Sequence, residues 1–452
     1  MNNQKDYLVE KQPLMALLIF SIPMMLGNLF QQLYTMVDSA IVGRYVGEEA
    51  LAACGASYAL TMVLICIAIG GGVGASVIVS RCFGAKEYHN MRVAVNTALL
   101  SFLLISVFLA LILRIFSRPI LLLLKTPAES YEMAVVYLNI YLYGLPFLFM
   151  YNVLNAMFNS LGKSRIPLYF LLLSSLLNVG LDLYMVIVLD MGIAGAAWAT
   201  FIAQGISAAL SFFVLMRLMR SLWKEKVSIF DRAELWKMSV IAIPSIIQQA
   251  TVSIGMLLVQ VVVNGFGAEA LAGFTAATRI SSICLVPMNA IGNAASAYTA
   301  QNIGAGKPER VPSGYKATNM IATCFATLIC IVLQFFNLQI IGIFLDLSTA
   351  TAAAVAAGTG YLKFMGWFYC LMGYKQAVDG LLRGAGDTAL FTIANIVNLG
   401  IRVAGSFALA SVFGVAITWY VVPFGWAANW LISFCEYKTG RWKKIFTAVP
   451  QK

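Results

Sequence analysis

The chain carries an internal repeat about 220 residues apart, written in sequence apolar enough to lie in a membrane. Gly47-Glu48-Glu49-Ala50-Leu51-Ala52-Ala53 returns as Gly267-Ala268-Glu269-Ala270-Leu271-Ala272-Gly273, Gly84-Ala85 as Gly304-Ala305, and Leu177-Asn178-Val179-Gly180 as Val397-Asn398-Leu399-Gly400. Pro23 with Pro244, and Trp198 with Trp419, keep that offset to within a residue. A duplicated bundle of hydrophobic helices is the usual build of a secondary transporter, with solute and ion sites between its halves.

Only 11% of the residues are charged, against roughly a quarter in soluble domains. Apolar stretches long enough to cross a bilayer, about 20 residues each, fall near 14–42, 50–80, 91–114, 131–158, 166–189, 194–219, 236–264, 269–303, 315–345, 350–382, 388–411 and 413–435. The expected fold is therefore an all-α membrane protein with twelve transmembrane helices, six per repeat. Six is even, so the two repeats run parallel, related by a pseudo-twofold along the membrane normal. The expected lobes are residues 1–225 and 226–452. Arg220 to Leu235 is the longest polar stretch and joins them, with Asp231 as the N-cap of the next helix.

Basic residues cluster at alternate loops: Lys5 and Lys11; Arg81, Lys86 and Arg92; Lys163 and Arg165; Arg217 to Lys237; Lys307, Arg310 and Lys316; Lys438 to Lys444. The opposite loops hold few, chiefly Arg44, Arg114, Arg118, Lys125 and Lys363. The positive-inside rule then makes both termini cytoplasmic. The net charge of +11 is accounted for by these loops, so no nucleic-acid partner is expected. The polar N-terminus runs into a long span without a small-residue cleavage site, so the first span is expected to remain. Eight cysteines stand singly without CxxC spacing, and the one histidine, His89, lies in a loop. Zinc sites and histidine-based catalysis are excluded. With no DDxxD-like cluster either, an enzyme is not expected, nor a cofactor.

Ionisable groups inside spans are functional suspects. Asp38 shares one helical face with Gln31 and Tyr34, and Asp182 lies one turn from Asn178. Asn152, Asn155 and Asn159 line a face of span four, and span six adds Thr200. Two carboxylates among neutral amides and hydroxyls, with no basic residue in those spans short of Arg217 at the end of span six, suit a bound cation, proton or sodium. The second repeat places Leu258 or Val259 opposite Asp38 and Arg402 opposite Asp182. Its own polar residues are Gln248, Gln249, Arg279, Lys375, Asp379, Asn395 and Asn398, so ion coupling is expected in the first repeat alone. Pro23 and the Gly70-Gly71-Gly72, Gly74 group are candidate bends, the glycines being equally suited to close packing.

Val37-Asp38-Ser39-Ala40-Ile41-Val42-Gly43-Arg44 with Gly47 and Ala50-Leu51-Ala52, and Asn155 to Gly162-Lys163-Ser164 with its echo Leu382-Arg383-Gly384-Ala385-Gly386-Asp387-Thr388, resemble the multidrug and toxic compound extrusion (MATE) family of antiporters, in its bacterial DinF-like branch. The likeness spans essentially the whole chain. It implies a cation site at Asp38, Asn178, Asp182 and Thr200, flanked by Gln31, Tyr34 and Asn155, and a bending proline at Pro23. Where the NorM-like branch has a glutamate in span seven, this chain has Gln248-Gln249, which argues against a second cation site. The resemblance implies a monomeric, cation-coupled efflux pump of the bacterial plasma membrane, working by alternating access on small amphipathic compounds. Candidate cavity residues are Gln31, Tyr34, Asn152, Asn155, Gln248, Gln249, Arg279, Asp379 and Arg402. Asp38 and the tyrosines favour organic cations. If Arg279, Lys375 and Arg402 face the cavity unpaired, anionic or zwitterionic solutes become the alternative, as does a lipid-linked saccharide flippase of the same superfamily.

Overall fold

The computed structural model describes residues 7–443 other than 125, 346 and 349, so Lys5, Lys125 and Lys444 lie outside the described residues. The helices are α1 (Tyr7–Glu10), α2 (Pro13–Ile41), α3 (Glu48–Gly84), α4 (Tyr88–Ile115), α5 (Ser117–Leu123), α6 (Ala128–Ser160), α7 (Arg165–Asp182) and α8 (Gly192–Leu222). The second repeat holds α9 (Arg232–Asn264), α10 (Ala268–Gly304), α11 (Arg310–Ile341), α12 (Ala352–Gly366), α13 (Tyr369–Ala385), α14 (Ala389–Phe413) and α15 (Ile417–Thr439). Span ten is broken: it is built from α12 and α13, which part at Trp367 and Phe368. With α1 and α5 too short to cross, twelve spans remain.

The duplication is written in the backbone as well. Positive φ angles recur at Gly47 (116°) and Gly267 (91°), Lys86 (61°) and Gly306 (69°), Gly162 (71°) and Gly386 (75°), and Gly192 (54°) and Gly414 (66°). Seven of these eight positions are glycine, the residue that adopts this conformation without steric cost.

The chain divides into two compact units, one comprising Leu26–Ile246, the other residues up to Met25 together with those from Ile247 onward. Each boundary falls two residues past an in-helix proline, Pro23 of α2 or Pro244 of α9. In the Leu26–Ile246 unit, α3 packs on α6 through Ala50, Ala53, Leu64, Ala68, Leu138, Leu142 and Leu145. The Gly70–Gly74 group does not interrupt α3, which runs unbroken to Gly84. A Cβ on Gly70 or Gly74 would meet the backbone of Ile246 at 2.6 Å or Ala242 at 2.5 Å. Close packing of small residues, one turn apart, accounts for these glycines.

In the other unit α10 packs on α13 just as tightly. A Cβ on Gly380 would stand 2.1 Å from the Gly292 carbonyl oxygen. Its core contains Phe20, Phe274, Tyr298, Tyr369 and Trp426. Asn302 of α10 donates to the Leu8 carbonyl (3.1 Å) and Arg310 donates to that of Lys11, which ties α1 to this unit.

The turn between α13 and α14 buries Asp387 beside Glu436 of α15; Asp387 Oδ2 lacks a hydrogen-bond partner. Burial, reinforced by Glu436, pushes the Asp387 carboxyl from 3.8 up to about 6. Because the folded-state value is raised, the stability this group contributes is present below pH 3.8 and lost as the pH rises through about 6. Asp387→Asn is therefore expected to raise the melting temperature at pH 7.5, with the gain vanishing near pH 4. Thermal unfolding at the two pH values checks this, and equal stability at pH 7.5 would contradict it.

Candidate functional site

The Leu26–Ile246 unit gathers the sequence-predicted cation ligands from four helices. From α2 come the exposed Gln31 and the half-buried Tyr34 and Asp38; α7 supplies Asn178 and Asp182, 2% and 0% exposed. Thr200 comes from α8, and Asn152 and Asn155 from α6.

Asp38 and Asp182 face each other, and Tyr34 stands beside both, with its hydroxyl directed at Gln204 of α8. Asn178 Nδ2 donates to Thr200 Oγ1 (3.3 Å), and that hydroxyl donates back to the Ala196 carbonyl (3.1 Å). With its amide fixed in this way, Asn178 presents Oδ1 alone.

That oxygen has no partner, nor have Asp38 Oδ1, both oxygens of Asp182, Asn155 Oδ1 or the Tyr141 hydroxyl. A buried acceptor left unpaired costs about 1–3 kcal/mol, more if charged. A run of such acceptors around two carboxyl groups, with no basic side chain among them, has the chemistry to hold a proton or a hard monovalent cation. Asn152 differs: its Nδ2 donates to the Leu148 carbonyl (2.8 Å) of its own helix, a local bond.

Sequence reasoning missed three contributors. Gln204 lies one turn beyond Thr200, and Tyr137 lies one turn before Tyr141; both line a narrow cleft with Gly144, Thr200 and Phe201. Cys54 sits between Tyr137 and Asp38. The i, i+4 spacing on α8 was the available signal for Gln204.

Both acidic residues also adjoin stretches of π-helix. Asp182 ends α7 and caps the π-segment Leu183–Val188, while α2 passes into another, Val42–Val46, four residues beyond Asp38. Such widened turns are rare and cluster at functional sites. At the repeat offset the counterpart of Leu183–Val188 falls near residues 403–410, which are ordinary α-helix within α14.

The second repeat is wired differently. Lys375 and Asp379 form an ion pair (3.0 Å) at 2% and 1% exposure; Lys375 also donates to Asn395 Oδ1 (3.2 Å), and Ser433 Oγ donates to Asp379 Oδ1 (2.7 Å). Gln248 accepts from Arg383 (3.2 Å), and Gln249 is half-buried. Arg279 is exposed on α10, and Arg402 of α14 packs against Gly255 and Gly425.

The MatE family pattern matches residues 23–184 and, a second time, residues 244–408, once on each repeat. The chain belongs to the MATE family. Over 446 residues it is 29% identical to the probable multidrug resistance protein YpnP of Bacillus subtilis, covering 96% of this chain and 97% of that one. A protein of Shewanella oneidensis named as a FAD transporter is 27% identical across 73% of this chain and 74% of its own. Among solved structures, the outward-facing conformation of a multidrug resistance MATE transporter superposes with a TM-score of 0.90 at 23% identity, covering 98% of this chain and 99% of that one. The MATE fold, a multi-pass bundle of twelve transmembrane helices, is thus the fold of this chain, and its family is one of transporters.

Proposed function

We propose that this MATE protein is a cation-coupled antiporter that exports small amphipathic organic compounds across a bacterial plasma membrane by alternating access, with both termini cytoplasmic. The observation that carries the reading is the set of unpartnered oxygens at Asp38, Asn155, Asn178 and Asp182, the donor set of a coupling proton or sodium ion. The multidrug naming of its relative YpnP supports the solute class. The working lobes are residues 1–225 and 226–452, acting as a monomer.

Coupling requires the ion to bind the two access states with different affinity. Pro23 lies fifteen residues before Asp38 on the same helix, so a change of bend there swings the carboxylate relative to Asp182. The adjoining π-segments are places where the winding already departs from α-helix.

The test is flux from proteoliposomes holding a fluorescent solute, driven in turn by an imposed pH gradient and an imposed sodium gradient. Efflux driven by one of them and abolished by collapsing it supports antiport and names the ion. Flux indifferent to both would overturn the reading.

A further inference from the structure

In the unit that contains the second repeat, the charge inside the spans is one-sided. Inside the spans α10, α13 and α14 carry Arg279, Lys375 and Arg402, with Arg383 in the last turn of α13, against Asp379, which is already paired with Lys375. Arg279 and Arg402 have no ion pair among the described residues, and Arg383 shares the field of Asp379 with Lys375.

Their surroundings are polar and shared. Arg383 reaches two neutral acceptors, Gln248 Oε1 of α9 (3.2 Å) and Asn293 Oδ1 of α10 (2.9 Å). Arg402 lays its guanidinium over Gly255 of α9, 3.7 Å from where a Cβ would stand, and its Nε has no hydrogen-bond partner. The titratable group that acts on it is the neutral phenol of Tyr361. Gln248 and Gly255 are seven residues apart, so both arginines address one face of α9, about 10 Å from each other along its axis.

Arg279 is exposed on α10 and forms no ion pair among the described residues; it shares a helical face with Ser282, Asn289 and Asn293. From α13, Gln376 donates to Asn289 and Arg383 to Asn293. A polar face carrying an arginine is costly against lipid and marks an aqueous solute path.

We propose that Arg279, Arg383 and Arg402 form a binding surface for an organic anion, a carboxylate or phosphate ester, and that anionic solutes are what this protein carries. The proposal rests on the efflux reading and deepens it, reversing the preference for cations suggested by Asp38 and its tyrosines. Guanidinium is the side chain suited to the task, since it stays charged when desolvated and grips carboxylate or phosphate through two parallel hydrogen bonds. The glycines at 255 and 425 leave the Arg402 side chain room to lie flat against both helices. The acidic pair of the first repeat is left to the coupling ion.

Two dyes with one xanthene scaffold and opposite charge, fluorescein and rhodamine 123, separate the possibilities in equilibrium binding to the purified protein by fluorescence anisotropy. Fluorescein is expected to bind at least tenfold more tightly. Arg402→Gln is expected to weaken fluorescein at least tenfold and leave rhodamine 123 unchanged. Arg279→Gln, at an exposed position that a substitution does not unfold, is expected to act in the same direction. Tighter binding of rhodamine 123, or fluorescein binding untouched by both variants, overturns the proposal. Repeating the titration in nanodiscs of phosphatidylcholine and of phosphatidylglycerol identifies the source of the anion. Equal affinity in both supports a soluble solute, and a tenfold loss in phosphatidylglycerol assigns the surface to lipid headgroups and overturns the solute assignment. Because binding needs no gradient, these results stand apart from a failure of ion coupling.

Discussion

Asp182→Asn is expected to abolish ion-driven efflux while leaving a protein that folds and inserts normally. The side chain is fully buried, and neither of its oxygens makes a hydrogen bond that asparagine would lose. Asparagine keeps the shape and removes the charge. Interactions of charged groups contribute about 1.5–3 kcal/mol each, so loss of one carboxylate lowers affinity for the coupling ion by about 10–100-fold. Asp38→Asn is expected to behave alike, because the two face each other across the same site. Asn178→Ala should retain some transport, since it removes one neutral oxygen and frees Thr200. Proteoliposome flux compared with thermal unfolding checks the prediction. Wild-type efflux from well-expressed Asp182→Asn protein would sink the assignment of this carboxylate to coupling.

The parts of this architecture legible in the sequence are those that rest on periodicity and cost. Membrane length, duplication and the scarcity of charge within spans follow from the energetics of the bilayer, which leave little freedom. Asp231 is a case of local chemistry read correctly: its Oδ1 accepts from the backbone of Ala233 (2.7 Å) and Glu234 (3.1 Å), capping α9 as its side chain and position require.

What escaped notice has no one-dimensional signature. Val42–Val46 and Leu183–Val188 contain no proline, and nothing common to the two sequences separates a π-turn from an α-turn. The break in span ten lies at Trp367 and Phe368, where aromatic residues give no breaker signal. Gly70 and Gly74 suit both a bend and a close contact, and only the backbone of α9 lying 2.5–2.6 Å from their would-be Cβ atoms decides between them. Gln204 and Tyr137 are neutral residues of a kind that glue helices together in every bundle, so their place beside a carboxylate pair required three dimensions.

Lys375→Met is expected to destabilise the protein strongly, and the double variant Lys375→Met with Asp379→Leu to recover most of the loss. At 1% exposure Asp379 keeps Ser433 as a donor, but loses the ammonium 3.0 Å away that neutralises it. Removing one member of a buried pair costs about 3–5 kcal/mol, whereas replacing both by apolar residues of similar volume is often neutral. Chemical or thermal unfolding of the two single variants and the double variant closes the cycle. Additive losses would show that the pair contributes nothing as a pair. The same argument supports the proposed placement of coupling in the first repeat. In the second, the aspartate's cation is covalently part of the chain, one helical turn away, and cannot be exchanged across the membrane. In the first, no lysine or arginine among the described residues is paired with Asp38 or Asp182, so a positive charge for these carboxylates would come from solution, as the proposed coupling requires.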